Sequence, residues 1–264
     1  MSNMGTALVT GASSGIGAIY ADRLAKRGYD LILVARNTDR LQAVAQRISD
    51  ETGRAVNVLT ADLSDGDDLF RVEQVLRDNA SITMLVNNAG FGGVTPLLDT
   101  DVERMELMVD LNVTALMRLS YAAAPAFVAR GSGTIINISS IVAIGPEILN
   151  GVYGGTKAFV LAFTQSLQHE LTDKGVRVQA VLPGGTATEF WDIAGYGAYA
   201  DSPLAMPAEK MVDAALAGFD LGEVVTIPPL QDGALWDEYE GLRRRISADL
   251  AHAEPGARYL AKVS

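Results

Sequence analysis

The chain carries a tyrosine and a lysine at a spacing that suits proton transfer. Tyr153 and Lys157 stand four positions apart in a segment predicted to be helical, so their side chains share one face. An ammonium beside a phenol favours the phenolate, and we therefore expect Lys157 to lower the pKa of Tyr153 from its ordinary value of about 10. The hydroxyl of Ser140, thirteen residues upstream of Tyr153, can hold the reacting oxygen. The pattern indicates a proton donor near neutral pH, although a half-buried tyrosine beside a solvated lysine has the same spacing.

A glycine-rich turn near the start of the chain is typical of a nucleotide site. It joins a predicted strand over residues 5–10 to a helix, and its key residues are Gly11, Ser13, Ser14, Gly15, Ile16 and Gly17. The first glycine permits a tight turn, the second lets the backbone approach a pyrophosphate, and the third lets the helix pack closely. The anion would then bind free N–H groups at the helix N-terminus. The alternative is an ordinary strand-to-helix turn.

Composition narrows the class of protein. The chain has 264 residues, of which 48% are apolar, and this size suits one α/β domain over residues 1–264. It contains no cysteine, and its two histidines, His169 and His252, lie far apart, so we expect no metal site. A net charge of −11 argues against nucleic-acid binding. The absence of a signal sequence and of long apolar runs predicts a cytoplasmic protein without a membrane span.

Strands and helices alternate along the chain without a linker. Strands are predicted near residues 5–10, 30–35, 55–60, 83–87, 133–139, 176–182 and 223–227, and helices over 15–27, 38–51, 65–79, 101–130, 151–174 and 207–219. Asp99 or Thr100 is the expected cap of the fourth helix, and Gly131 its expected end. Apolar strands joined by right-handed crossovers predict a Rossmann-type doubly wound parallel sheet of seven strands flanked by helices.

Six motifs in order give the chain its family resemblance. They are the glycine turn with its Gly11-x-x-x-Gly15-x-Gly17 spacing, Asn87-Asn88-Ala89-Gly90, Asn112, Ser140, the Tyr153–Lys157 pair and Pro183-Gly184-Gly185-Thr186-Ala187-Thr188. On these residues the chain is identified as a member of the classical short-chain dehydrogenases/reductases. The resemblance covers roughly residues 5–226.

The resemblance implies hydride transfer between a nicotinamide cofactor and a carbonyl or alcohol carbon. Tyr153 is then the proton donor or acceptor and Ser140 holds the oxygen, with Ser139 as the rival serine. Lys157 also holds the nicotinamide ribose, and Asn112 holds a water that links Lys157 to solvent. The implied cofactor site consists of Gly11, Ser13, Ser14, Gly15, Ile16, Gly17, Arg36, Asp62, Leu63, Asn88, Ala89, Gly90, Tyr153, Lys157, Pro183, Gly184, Thr186 and Thr188.

The end of the second strand favours NADP(H) over NAD(H). An acid near this point would hydrogen-bond the ribose 2′-hydroxyl of NAD, but Ala35 stands where NAD-dependent members of the family carry aspartate. Arg36 is well placed to pair with a 2′-phosphate, and Arg40 is a weaker second cation. Ser14 departs from the pattern, since some NADP-preferring members have a basic residue there. NADP(H) is therefore the preferred cofactor and NAD(H) remains possible.

Three segments are expected to line the substrate pocket: residues 91–94, residues 144–150 and residues 189–206. The last is rich in aromatic residues and contains Gly195 and Gly197, which suggests a substrate lid. We expect at least one of Trp191, Tyr196 and Tyr199 to contact substrate, although these rings can equally pack the lid onto the domain. Glu147, in the second segment, is more typical of a solvated loop residue than of a substrate contact.

The C-terminal extension, residues 227–264, is the least family-like part. Leu235, Tyr239, Leu242, Ile246 and Leu250 recur at helical spacing. This stripe is open to three interpretations: a cover over the substrate pocket, a subunit contact or local core. A homodimer or homotetramer is expected from the family.

The sequence thus predicts an NADP(H)-dependent carbonyl reductase or alcohol dehydrogenase that acts on an apolar ketone or secondary alcohol. Two alternatives stay open: a family enzyme with a dedicated metabolic substrate, such as a 3-oxoacyl thioester or a steroid, and a non-catalytic nucleotide-sensing regulator. An intact Ser140, Tyr153 and Lys157 argue against the regulator, which has no need of a proton donor.

Overall fold

A parallel seven-stranded sheet forms the centre of the protein, for which a computed structural model describes residues 4–260. Numbered along the chain, its strands are β1 (Thr6–Thr10), β2 (Asp30–Ala35), β3 (Val56–Thr60), β4 (Ile82–Asn87), β5 (Gly133–Ile138), β6 (Val176–Val181) and β9 (Val225–Thr226). Strands β7 (Thr186–Ala187) and β8 (Met206–Pro207) form a separate sheet. The order of the seven strands is β3-β2-β1-β4-β5-β6-β9, so the winding reverses between β1 and β4. A ligand site is expected at the carboxyl ends of these two strands.

Helices cover both faces of the sheet. They are α1 (Gly15–Lys26), α2 (Thr38–Thr52), α3 (Gly66–Asp78), α4 (Val102–Val109), α5 (Leu116–Arg130), α6 (Gly151–Leu171), α7 (Phe190–Ala194), α8 (Ala208–Leu221) and α9 (Ala234–Ala248). One core joins α1, α2 and α8 to the sheet, and a second joins α3, α5 and α6 to its other face. Apart from the edge strand β3, the long strands are mostly buried, which explains their nearly continuous apolar sequence. The predicted doubly wound Rossmann-type fold is confirmed.

The predicted fourth helix over 101–130 is wrong in two respects. Its N-cap is Asp101, whose side chain accepts a hydrogen bond from the Glu103 amide, and neither Asp99 nor Thr100 caps it. Its middle is a π-helical turn, Asp110–Ala115, that separates α4 from α5. A polar side chain of this turn, Asn112, is held by the backbone of Phe91, a tertiary contact that helix periodicity does not reveal. The helix ends at Gly131 (φ 67°), as predicted.

The predicted lid is closed at its base by a second, two-stranded sheet. β7 (Thr186–Ala187) pairs with β8 (Met206–Pro207), so the residues between them form a loop that contains α7. The indole of Trp191 is buried and donates a hydrogen bond to the Thr186 carbonyl at 2.9 Å. The lid segment is therefore joined to the strand end that carries predicted cofactor residues.

The chain divides into two compact units, of which the larger ends at Pro228 and the smaller begins at Pro229. The smaller unit contains α9, and the apolar stripe predicted there is exposed, so its interpretation as local core is wrong. None of the helices in residues 4–260 is long and apolar enough to cross a bilayer.

Candidate active site

The start of α6 positions the proposed proton donor. The Asn150 side chain caps this helix by accepting hydrogen bonds from the amides of Val152 and Tyr153. Tyr153 and Lys157 are both buried, and the Lys157 ammonium lies 5.8 Å from the centre of the Tyr153 ring. The sequence analysis missed Asn150, although an asparagine just before a helical segment is a recognisable cap signal.

Two adjacent serines at the end of β5 have different partners. The Ser140 hydroxyl lies close enough to the phenol of Tyr153 to act on the pKa of that phenol. Its own hydrogen bonds are long: it donates to the Pro183 carbonyl at 3.5 Å and accepts from the Val142 amide at 3.4 Å. The Ser139 hydroxyl instead donates to the Lys157 carbonyl at 2.7 Å and so fastens α6 to β5. Ser140 is therefore the serine beside the phenol, whereas the hydroxyl of its rival is held by a short hydrogen bond to α6.

Burial, rather than the neighbouring ammonium, dominates the acidity of Tyr153. Desolvation raises the Tyr153 pKa to about 12, and the nearby Ser140 hydroxyl acts in the opposite direction. Burial also lowers the pKa of Lys157 to about 8, and its ammonium donates to the Ile138 carbonyl at 2.9 Å. The expectation that Lys157 lowers the Tyr153 pKa is thus wrong for the protein without cofactor, because both groups are removed from water.

Asn112 holds the backbone beside this site. Its side-chain oxygen accepts from the Phe91 amide, and its nitrogen donates to the Phe91 carbonyl and to the Thr156 hydroxyl. Both amide hydrogens are therefore used, and only one lone pair of the oxygen is left to accept a hydrogen bond from water. The water relay expected from the family stays a prediction.

The glycine turn presents free backbone donors. Gly11 and Gly15 have φ values of 64° and 50°, in the left-handed region that favours glycine. A side chain on Gly17 would place its Cβ 2.3 Å from the Gly11 carbonyl oxygen, so only glycine fits there. Ser14 is the N-cap of α1 but makes no side-chain capping bond, and the first turn contains no acid. This end of α1 has the chemistry that the phosphates of a dinucleotide require.

A cavity of about 340 Å³ connects the glycine turn with the Ser140–Tyr153 pair. The predicted cofactor residues that line it are Gly11, Ser14, Gly15, Ile16, Asn88, Ala89, Gly90, Tyr153, Lys157, Pro183, Gly184, Thr186 and Thr188. Thr10, at the end of β1, accepts hydrogen bonds from the amides of Asn88 and Ala89 and holds that motif in place.

Other predicted residues lie away from the cavity wall. Ser13, Gly17, Arg36, Asp62, Leu63 and Asn112 do not line it. Leu63 is buried in the core, and the Asp62 carboxylate accepts hydrogen bonds from the amide and the hydroxyl of Ser64. The Arg36 side chain is 68% exposed and lies 3.8 Å from the Asp62 carboxylate, so it is loosely held.

An ion pair that the sequence analysis missed connects α2 with the lid segment. The Arg40 guanidinium makes two hydrogen bonds, at 2.6 and 3.2 Å, with the Glu189 carboxylate. The neighbouring Thr188 side chain lies 3.2 Å from the position a Cβ would take on Gly15. This part of the lid therefore crosses close to the glycine turn.

All three predicted substrate segments contribute to the cavity. They supply Phe91 from the first, Ile148 and Leu149 from the second, and Glu189, Phe190, Trp191, Ile193, Tyr196 and Tyr199 from the third. The Phe190 ring lies 5.8 Å from the Tyr153 ring, and Trp191 lies 4.1 Å from Tyr199. Among the described residues that line the cavity, Lys157 is the one cation and Glu189 the one acid, while Glu147 is exposed elsewhere.

Two solved dehydrogenase structures resemble this chain over nearly its whole length. A solved short-chain dehydrogenase from Sphingobium yanoikuyae in complex with NADPH is 48% identical, with a TM-score of 0.94 over 97% of this chain and all of that one. A bulky-bulky ketone specific alcohol dehydrogenase from Comamonas testosteroni is 42% identical, with a TM-score of 0.91 over 98% of this chain and all of that one.

Sequence comparison also relates the chain to dehydrogenases. A serine 3-dehydrogenase from Agrobacterium fabrum is 37% identical over 188 residues, which are 70% of this chain and 74% of that protein. The family profile described as short chain dehydrogenase matches residues 5–194. The chain is therefore a member of the short-chain dehydrogenase/reductase family of oxidoreductases.

Proposed function

We propose that this protein is an NADP(H)-dependent carbonyl reductase or alcohol dehydrogenase that acts on bulky apolar ketones or secondary alcohols. One observation carries the proposal: Ser140, Tyr153 and Lys157 line the same largely apolar cavity as the glycine turn. The related structures of an NADPH complex and of a bulky-bulky ketone specific enzyme support it.

The residues of the cavity divide the chemistry between them. When bound, the nicotinamide would donate or accept the hydride. Tyr153 gives its phenolic proton to the substrate oxygen during reduction, and Ser140 hydrogen-bonds the same oxygen as negative charge develops on it. The free donors of the glycine turn would hold the pyrophosphate, and Lys157 would hold the nicotinamide ribose.

The lining of the cavity favours an uncharged substrate. A small acid such as serine or pyruvate needs a cation for its carboxylate, but Lys157 is engaged with the Ile138 carbonyl and reserved for the cofactor. The nearby Arg40 guanidinium is already paired with Glu189 through two hydrogen bonds and offers no free cation either. A 3-oxoacyl thioester or a steroid fits the apolar wall as well as a simple ketone does, and both remain alternatives for the natural substrate.

The regulator alternative requires no proton donor, and the presence of Ser140, Tyr153 and Lys157 together in the cavity favours the enzyme over it. A cytoplasmic location and a homodimeric or homotetrameric state belong to the same proposal. Turnover of any ketone with NADPH eliminates the regulator.

The test is NADPH oxidation against a panel of aryl, cyclic and long aliphatic ketones, 3-oxoacyl thioesters, 3-oxosteroids and pyruvate. We expect aryl and cyclic ketones to give the highest kcat/KM, and pyruvate the lowest. A higher kcat/KM for pyruvate than for the aryl ketones would contradict the proposed substrate class. Tyr196→Ala serves as the matched variant because Tyr196 lines the cavity but is exposed: it should reorder the panel without lowering the melting temperature.

The cofactor preference is expected to depend on the end of β2. Ala35→Asp with Arg36→Ala removes the cation for a 2′-phosphate and adds an acid that accepts the 2′-hydroxyl of NADH. Losing a charge-assisted hydrogen bond costs about 1.5–3 kcal/mol. This corresponds to a roughly ten- to hundredfold loss of NADPH affinity. The measurement is the ratio of kcat/KM for NADPH to that for NADH, and an unchanged ratio would show that Arg36 does not bind the phosphate.

Arg40→Ala is the matched control for this prediction. Arg40 stands near the same strand end but is committed to Glu189 through two hydrogen bonds, whereas the Arg36 side chain is loosely held. Removing Arg40 is therefore expected to affect NADPH and NADH alike. A selective loss of NADPH in this variant alone would assign the phosphate to Arg40 instead.

A further inference from the structure

Gly92 lies against two aromatic rings of the active-site cavity. It is buried, and a Cβ on it would lie 2.4 Å from Phe190 Cζ, 3.0 Å from Phe190 Cε2 and 3.2 Å from Tyr153 Cε2. The first of these distances is shorter than any ordinary contact between two carbon atoms. The far end of the Phe190 ring can therefore stand beside the Tyr153 ring only because residue 92 has no side chain.

The backbone around Gly92 is held on both sides. Before it, the Phe91 amide donates to Asn112 Oδ1 at 3.1 Å, and Asn112 Nδ2 donates to the Phe91 carbonyl at 2.9 Å. After it, the Asn150 amide donates to the Gly93 carbonyl at 3.3 Å. A side chain added at residue 92 would therefore displace the end of the Phe190 ring rather than the backbone.

The cavity is the open side of the Phe190 ring. Trp191 packs against this ring edge-on, with the ring centres 5.3 Å apart, and its buried indole is fixed by the hydrogen bond to the Thr186 carbonyl. Gly92 and Tyr153 close another side. Because Phe190 also lines the cavity, a ring pushed away from Gly92 moves into the space for substrate.

We propose that Phe190 sets the size of the ketone that reaches Tyr153, and that Gly92 is the positioning residue that lets the Phe190 ring stand back from the substrate. The inference rests on the proposed function and adds to it the residues that select among ketones. One methylene more or less in an apolar pocket changes kcat/KM by roughly 10–200-fold, so a small displacement of this ring has a large effect on selectivity.

The first test adds a methyl group at residue 92. Gly92→Ala is expected to lower kcat/KM for benzophenone, which carries two rings, by roughly tenfold relative to that for cyclopentanone. The ratio of the two constants is the measurement, because the new methyl also lies close to Tyr153 Cε2 and would slow both ketones alike.

Gly93→Ala is the matched control, since it adds the same methyl one position further on. Its Cβ would meet Met108 Cε at 3.7 Å, an ordinary contact, and neither Gly92 nor Gly93 has a φ in the left-handed region. The ratio for benzophenone and cyclopentanone should stay at its wild-type value. Equal losses in the two alanine variants, or no loss in Gly92→Ala, would overturn the proposal.

The second test removes the end of the Phe190 ring. Leucine has no Cε or Cζ atoms, so Phe190→Leu widens the cavity beside Tyr153 and is expected to raise the ratio several-fold. In the double variant Gly92→Ala/Phe190→Leu the methyl has no ring end to displace, and the ratio should lie within about twofold of that of Phe190→Leu. A tenfold loss that persists in the double variant would overturn the proposal. Phe190→Leu leaves Gly92 unchanged, so a wild-type ratio in this variant overturns it even if Gly92→Ala does not fold.

Binding without turnover separates this inference from the proposed function. The chain contains two tryptophans, so in a Trp236→Phe background Trp191 is the sole one, and quenching of its fluorescence gives the Kd of each ketone. We expect the Kd of benzophenone to rise roughly tenfold in Gly92→Ala and to recover in the double variant. If these Kd values change as expected but no ketone oxidises NADPH, the proposed function fails and the selection by size stands. If ketones turn over but Gly92→Ala keeps the wild-type order of Kd and kcat/KM, the selection by size fails alone. Ketones that neither bind nor turn over would overturn both.

Discussion

Replacing Tyr153 by phenylalanine is expected to lower kcat for ketone reduction by about 10²–10⁴-fold, because only the proton donor is lost. The ring itself is retained, so its packing 5.8 Å from Phe190 persists. NADPH affinity, followed by the fluorescence of the bound cofactor, should therefore stay nearly unchanged. The measurement that decides is the single-turnover rate of NADPH oxidation with a saturating ketone.

Tyr199→Phe provides the matched control, since it removes a hydroxyl from the same cavity without touching the proposed donor. We expect it to keep most of the wild-type kcat. If Tyr153→Phe also kept most of its kcat, Tyr153 would not be the proton donor. The tyrosinate difference spectrum between wild type and Tyr153→Phe gives an independent check. Because burial raises the Tyr153 pKa to about 12, the cofactor-free protein should show no difference signal below about pH 10.

The second large effect is expected at Lys157, where methionine should remove activity and stabilise the protein at once. Burial lowers the Lys157 pKa to about 8 from about 10.4, and at 1.36 kcal/mol per pK unit the buried ammonium costs about 3 kcal/mol. The variant loses the hydrogen bond to the Ile138 carbonyl, which is worth about 1 kcal/mol. A net gain of about 2 kcal/mol remains. NADPH affinity and kcat should fall together, because one ammonium serves both.

The pH dependence of this gain is set by the direction of the pKa shift. Below pH 8 the lysine is protonated in both the folded and the unfolded chain, so the full destabilisation of the wild type is present. Between about pH 8 and 10.4 the folded protein has released its proton while the unfolded chain still binds it, and wild-type stability rises relative to the variant. The measurement is the free energy of unfolding of both proteins, in denaturant, from pH 7 to 10.

Lys210→Met removes the same charge from the exposed surface of α8 and should change the free energy of unfolding by less than about 0.5 kcal/mol. A Lys157→Met protein that is less stable than wild type at pH 7 would show that the ammonium is compensated by contacts stronger than its hydrogen bond to Ile138.

The sheet was predictable because its signal is local. Each buried strand is a short apolar run, and each glycine that ends a strand or helix lies next to it in sequence. The break between α4 and α5 was not predictable, because the π-helical turn depends on Asn112 reaching the backbone of Phe91, twenty-one positions away. The apolar periodicity of residues 101–130 predicts one continuous helix whether or not that contact forms.

The candidate site likewise has features that local sequence reveals and features that it does not. The Tyr153–Lys157 spacing places both side chains on one helix face, which sequence alone reveals. The direction of the Tyr153 pKa shift was predicted wrongly because burial dominates it, and much of that burial comes from residues distant in sequence, Met105 and Met108 of α4 and Phe190 of the lid. The Arg40–Glu189 ion pair joins residues 149 positions apart and leaves no local trace.

The π-helical turn lets the apolar faces of α4 and α5 point in different directions. One residue more than an α-helical turn rotates the rest of the helix by about 100°, so α4 turns Met105 and Met108 toward the Tyr153 cluster while α5 turns Leu119 and Phe127 toward the sheet. Loss of a single codon within 110–115 would return this segment to an ordinary α-helix. One of the two apolar faces would then point away from its core. Length variation among descendants of this gene should therefore avoid this stretch, even though the residues on either side tolerate ordinary exchanges of one apolar side chain for another.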